Sequence, residues 1–112
     1  MLMAAARLDI PCIVCVGGPM LGGIEFDGRK SDLTSISEAL GMLKAGKITE
    51  CEYNSLENTA CPGWRSCSFL GTANTMCCVS EALGMTLPGG ALIPAAYAGR
   101  LRHSFESGRA IV

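Results

Sequence analysis

Ile10-Pro11-Cys12-Ile13-Val14-Cys15-Val16-Gly17-Gly18-Pro19-Met20 is the stretch on which the fold class turns. It is an unbroken apolar run with β-branched residues, closed by a glycine-glycine-proline turn, which is the pattern of a strand buried in a parallel sheet. The flanks read as helix. Residues 1–8 are alanine-rich and carry Met1, Leu2, Met3 and Leu8, with no capping residue ahead of them. Residues 21–31 are polar and glycine-rich and read as a loop. Asp32 can cap a helix over 33–45 whose apolar face is Leu33, Ile36, Leu40 and Leu43, ending near Gly46. Thr49 with Glu52 makes a capping box for a helix over 50–58. Cys61-Pro62-Gly63 breaks that helix, and residues 61–71 form a loop. The next helix, 72–84, has few polar positions, which predicts burial on most sides, and Gly84 suits its end. Pro94 fits the first position of a last helix over 95–107, with Ala98, Leu101 and Phe105 on its face and Gly108 as its stop. Ala110-Ile111-Val112 reads as the start of a strand. The prediction is an α/β chain, a partial layered structure of parallel strand packed by helices. Its Gly17 loop and 61–71 loop are expected on one side, at the strand's carboxyl end, where α/β proteins bind ligands.

The chain has 112 residues, enough for one domain at most, and only 17% are charged. That falls short of the roughly 25% of ordinary soluble domains, so the chain reads as a piece of something larger. A helix that opens uncapped and a strand without a remainder make both ends look cut. Nine basic against ten acidic residues leave no footprint for nucleic acid or an anionic membrane. The charge-free stretch 82–99 contains Pro88 and Pro94 and cannot be one spanning helix. Asp9 abuts the apolar run at 10–16 and no small-residue cleavage site follows, which argues against a signal peptide. Seven cysteines, an odd count, point to a reducing cytoplasm with free or metal-bound thiols.

Cys12-x-x-Cys15 lies within the predicted strand, where residues three apart point to opposite faces, so the pair can neither chelate one ion nor close a disulfide. Both read as buried structural cysteines. The run Gly17-Gly18-Pro19-Met20-Leu21-Gly22-Gly23 fits neither phosphate-binding glycine pattern and reads equally as a ligand-approach loop or a plain turn. The hexapeptide Ser-Glu-Ala-Leu-Gly-Met occurs at 37–42 and 80–85. Two copies make no solenoid, and the match reads as coincidence among good helix formers.

Cys61-Pro62-Gly63-Trp64-Arg65-Ser66-Cys67 joins two thiols to a turn that leads into a helix N-terminus, where thiolate is favoured, the form that binds metal or attacks carbon. As a nucleophile Cys67 lacks a base, because His103, the sole histidine, reads as a surface residue of a polar helix. As a zinc site the segment lacks partners at the required spacing. Iron-sulfur ligation remains, with further ligands from elsewhere. Cys77-Cys78, about 100° apart on a helix, read as core, and Cys51 lies mid-helix, away from both loops.

The run from Cys61 to Gly90, CPGWRSCSFLGTANTMCCVSEALGMTLPGG, resembles the cysteine segment of the dihydroxy-acid and 6-phosphogluconate dehydratase family. The start, with Met1 to Leu8, Ile10-Pro11 and Gly17-Gly18-Pro19-Met20, is similar to the family stretch just after its Cys-Asp-Lys motif. The resemblance implies that residues 1–112 are a fragment of the family's N-terminal iron-sulfur-binding domain. It implies a hydro-lyase, in full-length form, that turns a 2,3-dihydroxy carboxylic acid, a sugar acid or branched-chain acid, into a 2-keto acid. It further implies an iron-sulfur cluster, [2Fe-2S] or [4Fe-4S], one of whose three cysteines aligns with Cys67. A Mg2+ ion and a proton-abstracting base would be held outside this chain, and the full enzyme would be a homodimer. No catalytic residue of the family falls in these residues, so the chain alone is expected to be inactive. The rival from another class is a non-catalytic interaction domain that keeps the fold. Cys61 does not carry over as a ligand, since the gluconate branch lacks cysteine there. Arg65 stands at a family glycine and would be strained if the site needs positive φ. Gly99 stands where the family commonly has Asp before Arg100. Ser68-Phe69-Leu70-Gly71 ahead of Thr72-Ala73-Asn74 is similar to the sugar-acid members, which points to an aldonic acid.

Overall fold

The structure is a computed structural model that describes residues 1–112. Five helices, α1 (Leu2–Leu8), α2 (Leu33–Lys44), α3 (Glu50–Thr59), α4 (Thr72–Ala82) and α5 (Ala98–Ala110), are joined by irregular segments. The one sheet is the antiparallel pair β1 (Glu25–Phe26) and β2 (Arg29–Lys30). The expected buried parallel strand at 10–16 does not form. The segment makes isolated bonds instead, from Val14 N–H to the Met85 carbonyl at 2.6 Å and from the Thr86 hydroxyl to the Val14 carbonyl at 2.9 Å. A parallel strand needs a ladder along its edges, and the only parallel pairing in the chain is a single bridge between Pro19 and Ser66. Val16 is buried, while Ile10 is 58% exposed and Cys15 lies open. The fold is therefore mixed and mainly helical, and the parallel layer is corrected to an extended run. Ala110 ends α5, and residues 111–112 form no strand.

The helix ends follow local chemistry. Asp32 accepts from Thr34 N–H at 2.8 Å and Ser35 N–H at 3.1 Å, and Ser35 Oγ accepts from Asp32 N–H at 3.2 Å. The Thr34 hydroxyl, more than any other group, holds the Asp32 carboxyl below its ordinary range. Thr49 and Glu52 cap each other across α3, and the Thr49 N–H holds Glu52 below its ordinary range. Gly46, at φ +69°, ends α2 with Lys47 N–H on the Met42 carbonyl at 2.9 Å, as a left-handed glycine cap does. The 21–31 loop contains the hairpin, turned by Asp27 and Gly28 at φ +48° and +73°. Asp-Gly in a two-residue turn is a strong hairpin signal.

Packing is sparse. The core is Ala39, Leu56 and Ala60, with Phe26, Ile36, Ile48 and Tyr53 against it. The inward face of α2 is Ser35, Ile36 and Ala39, because Leu33 and Leu40 of the expected face point outward. On α4 only Asn74 and Ser80 are buried, while Met76 and Val79 lie open, so the expected burial on most sides does not occur. The radius of gyration is 17.6 Å, against about 13 Å for a compact domain of this length. The last helix begins at Ala98, with Pro94 in the turn before it: Tyr97 N–H bonds the Pro94 carbonyl at 3.1 Å. Gly108 lies inside α5 and does not stop it.

Candidate active site

The two loops meet on one side, as expected. The Met20 N–H donates to the Ser66 carbonyl at 2.8 Å, and Ser66 Oγ lies 3.3 Å from the Gly18 carbonyl oxygen. Gly23 brings the hairpin arm against the end of α3, close enough that a Cβ there would sit 2.7 Å from Ala60 Cα. The 61–71 loop thus leaves α3 beside the hairpin and crosses to the Gly17 loop.

Arg100 braces the same corner from behind. It is 6% exposed, and its guanidinium donates to the carbonyls of Val16 at 2.9 Å, Gly90 at 2.7 Å and Ile93. Nε has no partner. The buried charge is thus spread over carbonyl dipoles rather than paired with a carboxylate. The turn it grips is also held by Glu81, which accepts from Gly89 N–H at 2.6 Å and Ala91 N–H at 2.7 Å. Those bonds, with the Ala91 N–H foremost, hold the Glu81 carboxyl below its ordinary range. His103 is half-buried against this turn, with Nε2 3.0 Å from the Leu87 carbonyl. The sequence reading of a surface histidine is corrected, and its ring serves the turn instead of Cys67.

Cys67 lies half-buried in the loop, as does Cys61. Burial pushes the Cys61 thiol up, and the charges of Cys67 and Asp32 add to the rise. Cys67 does not enter α4 directly: the helix starts at Thr72 with Gly71 as its cap, and the loop folds back to it through the Asn74 side chain. The other cysteines stand apart from this site. Cys12 lines a cavity beside α1, while Cys15 donates to Ser104 Oγ at 3.1 Å, so the two do diverge, although Cys15 is exposed rather than buried. Cys77 and Cys78 line different cavities and are half-buried, and Cys51 is exposed in the first turn of α3 rather than mid-helix. No three His, Cys, Asp or Glu side chains gather anywhere to hold an ion. The donor set nevertheless suits an iron-sulfur cluster in part, since thiolates are its usual ligands, and the remaining ligands would come from outside these residues.

Sequence reasoning passed over Ser66, Asn74 and Arg100. The Thr72-Ala73-Asn74 signal was on hand, but nothing local shows that a polar helix residue reaches back to the loop before it. Beside the loops lies an apolar cavity of about 230 Å³, lined by Met20, Leu21, Pro62, Gly63, Trp64 and Ala96. The largest cavity, about 500 Å³, is elsewhere, between α1 and residues 83–85, and Asp9 is its only charged group.

All 112 residues match the family described as Dihydroxy-acid/6-phosphogluconate dehydratase N-terminal. The chain belongs to this dehydratase family. Among its relatives, the dihydroxy-acid dehydratase of Caldanaerobacter subterraneus subsp. tengcongensis is 60% identical over 112 residues, the whole of this chain and 20% of that protein. That of Halothermothrix orenii is 56% identical over the same span, again 20% of the relative. A Clostridium pasteurianum dihydroxy-acid dehydratase is 55% identical, with 39% of its length covered. The chain thus spans about a fifth of the length of most dehydratases it matches.

Arg65 has φ +82°, the left-handed region that sterically penalises a side chain. Its guanidinium lies over Gly17, where an added Cβ would sit 3.5 Å from Nη1. Arg65→Gly is expected to raise unfolding stability by about 1 kcal/mol, read by urea titration. A loss of stability would show that the guanidinium contact outweighs the strain.

Proposed function

We propose that this chain supplies one thiolate ligand, Cys67, and two substrate-facing loops to an iron-sulfur hydro-lyase. The full protein would remove water from a 2,3-dihydroxy carboxylic acid to give a 2-keto acid. The observation that supports the reading is the joining of the 61–71 loop, which carries Cys67, to the Gly17 loop through the Ser66 carbonyl and the Met20 N–H. When bound, the cluster supplies Lewis acidity toward the departing hydroxyl. The chain's own residues orient and enclose: Gly18 lets the turn pack against the Ile93 carbonyl and Arg100, and Arg65 presents a cation without an ion-pair partner to an acid substrate. Magnesium ligands and the base would lie outside residues 1–112, so the chain alone is inactive in this reading. Seven free thiols fit a reducing cytoplasm, and no helix is long and apolar enough to cross a membrane.

The apolar cavity walled by Met20, Leu21, Pro62 and Trp64 favours a substrate with alkyl groups at C3, because such walls leave additional hydroxyls without partners. An aldonic acid is the second reading, favoured by Ser68-Phe69-Leu70-Gly71. The test is a full-length chimera in which residues 1–112 replace the matching segment of the Caldanaerobacter relative, assayed for 2-keto acid formation. Turnover of 2,3-dihydroxy-3-methylbutanoate is expected. A chimera that holds iron yet dehydrates only gluconate would select the second reading, and one that folds without iron would remove both.

A further inference from the structure

Asn74 stands in the first turn of α4, yet its side chain makes no bond that caps that helix. Its side chain is 5% exposed, and Nδ2 donates to the Cys67 carbonyl at 2.7 Å and the Phe69 carbonyl at 2.9 Å. Oδ1 accepts from the Ser66 hydroxyl at 2.8 Å. Both donors and the acceptor are thus engaged. The amide has one tenable orientation, because the flipped form would set Oδ1 against two carbonyl oxygens. Three residues of one loop, on either side of and including Cys67, are held by a single rigid group. Ser66 carries the grip onward to the Gly17 loop through its backbone carbonyl, which accepts from the Met20 N–H at 2.8 Å.

We propose that Asn74 is a positioning residue for Cys67: it fixes the backbone from 66 to 69 so that the sulfur is already aimed when a cluster assembles. This rests on the reading of Cys67 as a ligand. A thiolate on a loop free to move would lose conformational freedom at the moment of binding, whereas one held by a buried amide has lost it on folding. Groups that orient a ligand are worth roughly 10–100-fold in metal affinity when removed. Asn74→Ala removes all three bonds. Asn74→Asp keeps the acceptor for Ser66 but sets a carboxylate oxygen against the Cys67 and Phe69 carbonyls.

The test uses the full-length chimera and two readouts. In the iron-free form, iodoacetamide labelling of each cysteine is followed by peptide mass spectrometry, with exposed Cys51 as internal reference. Both variants are expected to label Cys67 several-fold faster, with Cys12, Cys77 and Cys78 unchanged and circular dichroism intact. In the reconstituted form, iron affinity is expected to fall by about tenfold or more. An unchanged Cys67 rate in a folded variant overturns the proposal, and so does a common rise at every half-buried cysteine, which marks a general loss of structure. Faster Cys67 labelling with unaltered iron affinity also overturns it. Full iron content in Cys67→Ser would instead overturn the ligand reading, while the labelling arm still reports on the clamp.

Discussion

Cys67→Ser in the full-length chimera is expected to lower bound iron by about tenfold or more, while Cys61→Ser leaves it within about twofold. The two thiols share one loop and are both half-buried, so neither loop nor burial separates them. Their anchoring does. Cys61 directly follows Ala60, a member of the small core at the end of α3, and belongs to that helix's termination. Cys67 follows Ser66, which bridges to Pro19, and its own carbonyl is held by Asn74. It therefore sits next to the junction of the two loops. The measurement is iron and sulfide per chain, with the visible absorbance of the cluster. Iron lost with Cys61→Ser and retained with Cys67→Ser would reverse the assignment.

Gly18→Ala is the substitution expected to cost most stability, by more than about 3 kcal/mol, a large share of the roughly 5–15 kcal/mol of an ordinary domain. Gly18 is buried at φ +76°, and a Cβ there would meet the Ile93 carbonyl and come within 2.5 Å of Arg100 Nη2. Arg100 cannot give way without releasing the carbonyls of Val16, Gly90 and Ile93. Each carbonyl left buried and unpaired costs about 1–3 kcal/mol. The neighbouring glycine is the control. A Cβ on Gly17 meets only Arg65, at 3.5 Å and beyond, which is ordinary contact. Gly17→Ala is expected to lie within about 1 kcal/mol of the parent. Urea unfolding of both variants checks this, and equal midpoints for the two would refute the account.

Local chemistry was legible wherever a few adjacent residues close their own hydrogen bonds. Asp32 with Ser35, and Thr49 with Glu52, form the capping boxes that start α2 and α3, and each needs nothing beyond one helical turn. The Asp27-Gly28 turn was equally local and was passed over inside a stretch read only as loop. The meeting of the two loops was legible as an expectation, although the strand end at which it was expected does not form and a single bridge between Pro19 and Ser66 joins them instead.

Other features depend on residues far apart in the chain. The repeated hexapeptide shows this directly: in α2 its glycine, Gly41, lies inside a helix that runs on to Lys44, while in α4 Gly84 takes φ +71° and ends the helix. After the second copy, Thr86 bonds the Val14 carbonyl and Pro88 cannot extend the helix, whereas Leu43 and Lys44 continue the first. The 10–16 run carries every local mark of a buried strand, yet a strand is a property of a pair, and these residues offer it isolated bonds without a ladder. The sequence by itself determined the starts of α2, α3 and α4, the thiol loop and the family. Only the tertiary structure decided that Asn74 holds that loop, that Ser66 joins it to the Gly17 loop and that Arg100 grips the Val16, Gly90 and Ile93 carbonyls beside them, because the partners, at separations up to 84 residues, are backbone groups that no side-chain pattern can announce.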